Sequence, residues 1–322
     1  MHRYKLLFPK DEIDPVVDII QIVKTVTDVY LKDKQKLAFT DPNTGIIRQL
    51  EKAGNNLKKK KTDQVLLDIF KKAVDAYNSA ITDLIKDGAL AENLDSIHHL
   101  PLAMVRVILN QVYERAVSPT IEDLSKYTNG TDEVYGELLP PFVSRVLGEV
   151  GLKSDQVFID LGSGVGNVVL QAALEFGCES WGCEMMVNAC NLAEAQQKEF
   201  AARCRLWGLQ SGEVHLERGN FLENTKIHKA MQRADVILVN NEVFQETTNR
   251  DLVHLFLDLK DGCKIVSLKP FLAVSRNKND PANILEIVEK GDIYSEDVSW
   301  TARGQNYYIS TKDSGRLQAS HD

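Results

Sequence analysis

The 322-residue chain is 43% hydrophobic and 26% charged, a balance that supports a sizeable folded core and excludes wholesale disorder or a fibre. No apolar run reaches membrane-spanning length, and Met1-His2-Arg3-Tyr4-Lys5 leads into no uninterrupted apolar stretch, so neither a membrane span nor a secretory signal is expected. The net charge of -8 is uneven: residues 1–130 carry 19 Lys and Arg against 18 Asp and Glu, residues 131–322 carry 19 against 28, and a bulk electrostatic footprint for DNA is excluded.

The first predicted element is a helix over roughly residues 14–32, with Val16, Ile19, Ile20, Val23 and Val26 on one face. The one dense basic run, Lys58-Lys59-Lys60-Lys61, reads either as a solvated loop or as a contact patch. Residues 64–87 repeat apolar side chains at three- and four-residue intervals, from Leu66 and Phe70 through Tyr77 to Leu84, and Asp87-Gly88 closes that helix. A further helix starts at Pro101 and stops near Val117, before Ser118-Pro119. Together these imply a mainly helical N-terminal domain over residues 1–130.

From about residue 138 the pattern alternates. A helix over 138–150 is followed by strands near 157–161, 180–183, 214–217, 235–239 and 263–268, with amphipathic helices between them. That alternation predicts an α/β domain with a doubly wound, mostly parallel sheet over residues 131–312. Residues 295–301 and 307–311 flank Gly304 and are expected to form an antiparallel hairpin at the sheet edge, ahead of a polar tail, 313–322. The cysteines Cys178, Cys183, Cys190, Cys204 and Cys263 include no zinc-type pair and are expected to be buried free thiols in a reducing compartment.

Residues after each strand define the candidate site, because ligands of doubly wound sheets sit at the strands' carboxyl ends. Val157-Phe158-Ile159-Asp160-Leu161 delivers the glycine turn Gly162-Ser163-Gly164-Val165-Gly166-Asn167. Glu184, about twenty residues on, is placed to bind a ribose diol. Asn167 stands where a dinucleotide fingerprint has its third glycine, and Asp160 would repel a pyrophosphate yet could accept from a ligand ammonium. S-Adenosylmethionine carries an ammonium, a ribose and no phosphate; a dinucleotide-dependent oxidoreductase and a plain structural turn stay open at this stage. Asn220 and Phe221 could meet an adenine, with plain core as the alternative for the ring. Asn240, at the end of the apolar run 236–239, is expensive to place there unless it bonds something.

The segments Val134-Tyr135-Gly136-Glu137, Asp160 to Asn167, Val239-Asn240-Asn241, Ile265 to Phe271 and Val298-Ser299-Trp300-Thr301 occur in that order. They resemble the disruptor-of-telomeric-silencing family, histone H3 lysine methyltransferases without a SET domain. The likeness extends upstream to Gln111–Val117, covers roughly residues 100–312, and looks closer to the fungal branch. It implies a class I S-adenosylmethionine-dependent methyltransferase sheet and transfer to a lysine in the nucleosomal core of histone H3. It also implies a nuclear, chromatin-regulating protein with the nucleosome as partner and Lys58 to Lys61 as a weak DNA contact.

Carried over by residue, the resemblance implies cofactor contacts from Tyr135, Gly136, Glu137 and Leu138, and from Phe158, Ile159, Asp160, Leu161, Gly162, Ser163, Gly164, Val165, Gly166 and Asn167. Further contacts come from Glu184, Asn220, Phe221 and Asn240. Asn240 is also implied beside the transferable methyl group, with Trp300 and Tyr307 lining the channel for the target lysine. Two positions depart from the family: Asn220 where aspartate is common, and Gly130 where some members have an aromatic channel residue. A scaffold with decayed activity is the rival these departures suggest. The implied reaction needs alignment and a deprotonated amine, which an apolar channel beside a sulfonium favours, and no metal or covalent nucleophile.

Overall fold

A computed structural model describes residues 4, 13–97, 99–120, 136–271, 281–300 and 305–316. The chain divides into two units, Met1–Glu114 and Arg115–Asp322.

The first unit is helical. Asp14 caps helix α1 (Pro15–Tyr30) by accepting from the Val16 and Val17 amides, with proline at the first turn, where its missing N–H costs nothing. Helices α2 (Asp33–Thr40), α3 (Ile46–Lys59), α4 (Gln64–Lys86), α5 (Ala89–Asp95) and α6 (Leu102–Ala116) follow. Val16, Val23, Leu50, Leu57 and Phe70 form the core of this unit. Gly54 lets α1 approach α3: a Cβ there would lie 2.7 Å from Val16 Cγ1. The sequence expectation missed α2, α3 and α5, and it read Lys58 to Lys61 as either loop or patch. Lys58 and Lys59 are in fact the last turn of α3, where positive charge complements the helix dipole.

The second unit is a seven-stranded sheet in the order β3-β2-β1-β4-β5-β7-β6. Strands β1 (Val157–Leu161), β2 (Glu179–Glu184), β3 (Val214–Arg218), β4 (Val236–Val239) and β5 (Lys264–Ser267) are parallel. Strands β6 (Leu285–Asp292) and β7 (Asn306–Lys312) close the sheet antiparallel. Helices α7 (Pro140–Glu149), α8 (Asn167–Glu175), α9 (Val187–Trp207), α10 (Thr225–Met231) and α11 (Glu246–Phe256) cover the faces. One face packs Ile159, Leu161, Ile237, Val239 and Ile265 against α10 and α11. The other packs Phe158, Leu238, Val266 and Ile309 against α7 and α8. This is the α/β, doubly wound, mostly parallel sheet that the alternation predicted, closed at one edge by two antiparallel strands.

The edge hairpin is corrected in one strand. The partner of β7 is Leu285–Asp292 and not 295–301. Most of β6 is solvent-exposed, so it carries no apolar alternation to read. Val298 instead makes a single antiparallel bridge to Leu138, and that bridge shapes the site.

Candidate active site

A cavity of about 560 Å³ opens at the carboxyl ends of β1, β2 and β4, where the strand order reverses between β1 and β4. The glycine turn forms its floor. Gly162, Gly164 and Gly166 all have left-handed φ, at 85°, 55° and 89°, a conformation that side-chain-bearing residues rarely adopt. The turn is tied to β2 by the amides of Gly162 and Ser163, which both donate to the Cys183 carbonyl at 2.9 and 3.1 Å.

Two acidic residues face this turn. Glu184 accepts from the Gly164 amide through Oε2 at 2.9 Å and from the Met186 amide through Oε1 at 2.8 Å. Each oxygen retains a lone pair for a ligand diol. Asp160 is buried, and its side chain has no hydrogen-bond partner among the described residues. Burial first, and then the charge of Glu184, pushes its carboxyl up to about 8. An orphaned buried carboxyl on a cavity wall fits a ligand that brings a cation with N–H donors. The same residue is adverse to a pyrophosphate.

Past β3, Asn220 Oδ1 accepts from the Leu222 amide at 3.0 Å, which fixes the turn that presents Phe221. Phe221 stacks on Phe244 with ring centroids 5.9 Å apart, and Phe244 also lies over Gly162. Together they make an aromatic wall. His228 bonds the Phe221 carbonyl through Nε2 at 2.9 Å and steadies that wall from behind.

The opposite wall is built from the segment 136–139 and the segment 297–300. Ser299 Oγ accepts from the Glu137 amide at 2.8 Å, the Ser299 amide donates to the Glu137 carbonyl at 2.9 Å, and the Leu139 amide donates to the Asp297 carbonyl at 2.8 Å. Gly136 lies under Trp300, since a Cβ there would come within 2.9 Å of the indole. Asn240 Nδ2 donates to the Gly136 carbonyl at 3.3 Å, and Glu137 accepts from Asn167 at 3.0 Å. Gln196 steadies Asn167 by donating to its Oδ1 at 2.9 Å and to the Val165 carbonyl at 2.7 Å. Asn241 has a different task. Wholly buried, it accepts from the Leu268 and Lys269 amides and donates to the Lys269 carbonyl and to Asn249, clasping the ends of β4 and β5.

The cavity is lined by Gly136, Glu137, Leu138, Asp160, Gly162, Ser163, Gly164, Asn167, Glu184, Asn220, Phe221, Asn240 and Trp300 among the residues expected from sequence. Five expected cofactor contacts fall elsewhere. Ile159 and Leu161 point into one core layer and Phe158 into the other, because side chains alternate along β1. Val165 is buried, and Gly166 lies against Leu216. Tyr307, expected to line a channel for the acceptor, is not among the residues lining this cavity: its ring stands edge-on to Phe142 at 5.4 Å and its hydroxyl donates to Glu149 at 2.6 Å. Tyr135 and Gly130 lie outside the described residues. Phe244, Met185, Met186, Val243 and Glu242 line the cavity without having been read from sequence. Phe244 and Glu242 could have been suspected from their position directly after Asn240-Asn241.

The model of the family "Histone methylation protein DOT1" matches residues 113–312. The chain belongs to this DOT1 family. Among curated relatives, a "Histone-lysine N-methyltransferase, H3 lysine-79 specific" of Gibberella zeae is 55% identical over 96% of this chain and 62% of its own length. A protein of the same description from Emericella nidulans is 49% identical over 98% of this chain and 63% of its own length. This DOT1 chain thus spans about three fifths of the length of the curated relatives it matches. Among solved structures, an RNA methyltransferase from Salinibacter ruber in complex with S-adenosyl-L-homocysteine matches at 21% identity and a TM-score of 0.40, over 55% of this chain and 94% of that one.

Proposed function

We propose that the chain is a protein-lysine methyltransferase that uses S-adenosylmethionine and acts on histone H3 in the nucleosome, at the lysine-79 that names its relatives. The observation that carries the cofactor is the orphaned, buried Asp160 set beside Glu184 and the Phe221–Phe244 wall in one cavity. Asp160 would hold the amino group of the methionine part, Glu184 the ribose hydroxyls, and Phe221 with Asn220 the adenine. When bound, the cofactor supplies an electrophilic methyl group on a sulfonium.

The remaining work belongs to this chain's residues. Asn240, held by the Gly136 carbonyl, and Trp300, seated on Gly136, form the wall against which an acceptor amine would be aligned. Trp300 and the aromatic wall keep water from the reacting atoms, and an apolar surround favours the neutral amine that attacks. Action on nucleosomes places the protein at chromatin, in the nucleus.

Methyl transfer from labelled S-adenosylmethionine to free histone H3 and to intact nucleosomes tests the reading. Transfer to nucleosomal H3, exceeding that to free H3, is the expected result. Transfer to neither, in a chain that binds the cofactor, would reject the substrate and retain the cofactor.

A further inference from the structure

Glu242 follows Asn240-Asn241 at the end of β4 and lines the cavity on the side of Asn240 and Trp300. Its Oε1 accepts from Gln305 Nε2 at 3.1 Å. Gln305 Oε1 in turn accepts from the indole N–H of Trp300 at 3.0 Å. One amide therefore holds a ring and a carboxylate in fixed relation at the wall where the acceptor is expected. Glu242 Oε2 has no hydrogen-bond partner among the described residues. Lys269 donates to the Glu242 backbone carbonyl and not to the carboxylate. Glu242 is half-buried, and its open oxygen on the wall of a largely apolar cavity is an acceptor available to a cation that enters there.

We propose that Glu242 binds the ammonium of the incoming acceptor side chain and so selects a cationic amine, with Gln305 as its positioning residue. The proposal rests on the methyltransferase reading above and specifies the acceptor end of that site. Glu242 acts in capture and not in activation. The attacking amine must be neutral, whereas a neighbouring carboxylate favours the charged form. Its contribution therefore belongs in acceptor affinity.

Two adenosine–methionine conjugates with nitrogen in place of the sulfur serve as probes. One carries on that nitrogen a lysine-length arm ending in a primary amine, the other an arm of equal length ending in a methyl group. Titration calorimetry on the full chain is expected to show the amine arm binding about tenfold more tightly, the lower end for a hydrogen bond to a charged group. Glu242→Gln is expected to abolish that preference and leave the methyl-arm affinity unchanged. Equal affinity of the two arms for the parent, or a preference that survives in Glu242→Gln, overturns the proposal. Binding of neither conjugate overturns it together with the cofactor reading. Because the conjugates report binding alone, a preference lost in Glu242→Gln supports the cation site even in a chain that transfers no methyl to histone H3. In steady-state assays Glu242→Gln is expected to raise the acceptor KM with kcat maintained, and a loss confined to kcat would overturn the assignment.

Discussion

The Tyr307 hydroxyl donates to the Glu149 carboxylate at 2.6 Å, linking β7 to the end of α7. The Arg145 guanidinium, itself paired with the buried Asp297 at 2.6 Å, lies 5.9 Å from the tyrosine ring centroid. Asp297 lends its carbonyl to the Leu139 amide. Tyr307 thus belongs to the packing that supports the cavity wall and does not itself line the cavity.

Tyr307→Phe should therefore lower stability by about 0.5–1.5 kcal/mol, the net contribution of a part-buried hydrogen bond whose Glu149 acceptor is itself exposed. Tyr307→Ala should cost about 3–5 kcal/mol. S-Adenosylmethionine affinity of the phenylalanine variant should be unchanged. Thermal unfolding and calorimetry together check this. A Tyr307→Phe variant of parental stability that had lost methyl transfer would show instead that the hydroxyl reaches the acceptor.

The sheet was legible because its strands announce themselves: Val157 to Leu161 and Val236 to Val239 are buried runs that are apolar throughout save for Asp160. Strand β6 was not, because an edge strand need not be apolar. In the first unit, α2 carries only Leu37, Ala38 and Phe39 as apolar residues, and it is secured by packing distant in sequence, such as Phe39 edge-on to Tyr77 at 6.1 Å. The site was legible where chemistry requires a residue type, as at Asp160, Glu184 and the glycines. Phe244, Gln196 and Gln305 escaped notice because their roles depend on which neighbour the fold supplies. Tyr307 is absent from the lining of this cavity, and a strand's sequence does not say which of its two faces meets a cavity.

Asp160 ties stability and ligand binding to pH. Its carboxyl titrates near 8 in the folded chain against 3.8 ordinarily, so between those values the folded state holds a proton that the unfolded state has lost. Stability should then fall as pH rises through that window, by about 1.4 kcal/mol per pH unit at most. Asp160→Asn should remove the slope and abolish S-adenosylmethionine binding. A cationic ligand should draw the parent's proton off, so calorimetry near neutral pH in buffers of different ionisation heat should show proton release. Binding heats independent of buffer would exclude this role for Asp160.

In the proposed site Glu184 would combine a ligand role with a structural one, since it accepts from the Gly164 and Met186 amides. Glu184→Ala should weaken cofactor binding by up to about 1.5–3 kcal/mol per charge-assisted bond removed and also loosen the glycine turn. Glu184→Gln retains an acceptor for one amide, so it should recover stability more than affinity. Unchanged calorimetric affinity in folded Glu184→Ala would remove the residue from the site.

Asn220→Asp should keep the fold, because the carboxylate can still accept from the Leu222 amide as Asn220 Oδ1 does. Cofactor affinity should hold or improve, a carboxylate being the stronger acceptor for an adenine amino group. A large loss of binding would show that the asparagine N–H is what the ligand uses.

Lys58, Lys59, Lys60 and Lys61 are all exposed at and just beyond the end of α3, which makes them the cations to test for nucleosome binding. Lys58 already pairs with Asp14 at 3.0 Å, an exposed ion pair that contributes at most about 1 kcal/mol and that a phosphate could replace as partner. Changing all four lysines to glutamine should lower nucleosome methylation and leave S-adenosylmethionine affinity untouched. The salt dependence should also become shallower, by about 0.9 in the log–log slope for each DNA phosphate that the variant no longer neutralises. Thermal unfolding of the quadruple variant separates the effect of breaking the Lys58–Asp14 pair from weakened nucleosome binding. A solvated helix end would move neither quantity. Activity retained at elevated salt, with the variant indistinguishable from the parent, would therefore reject the patch and move nucleosome binding to another surface.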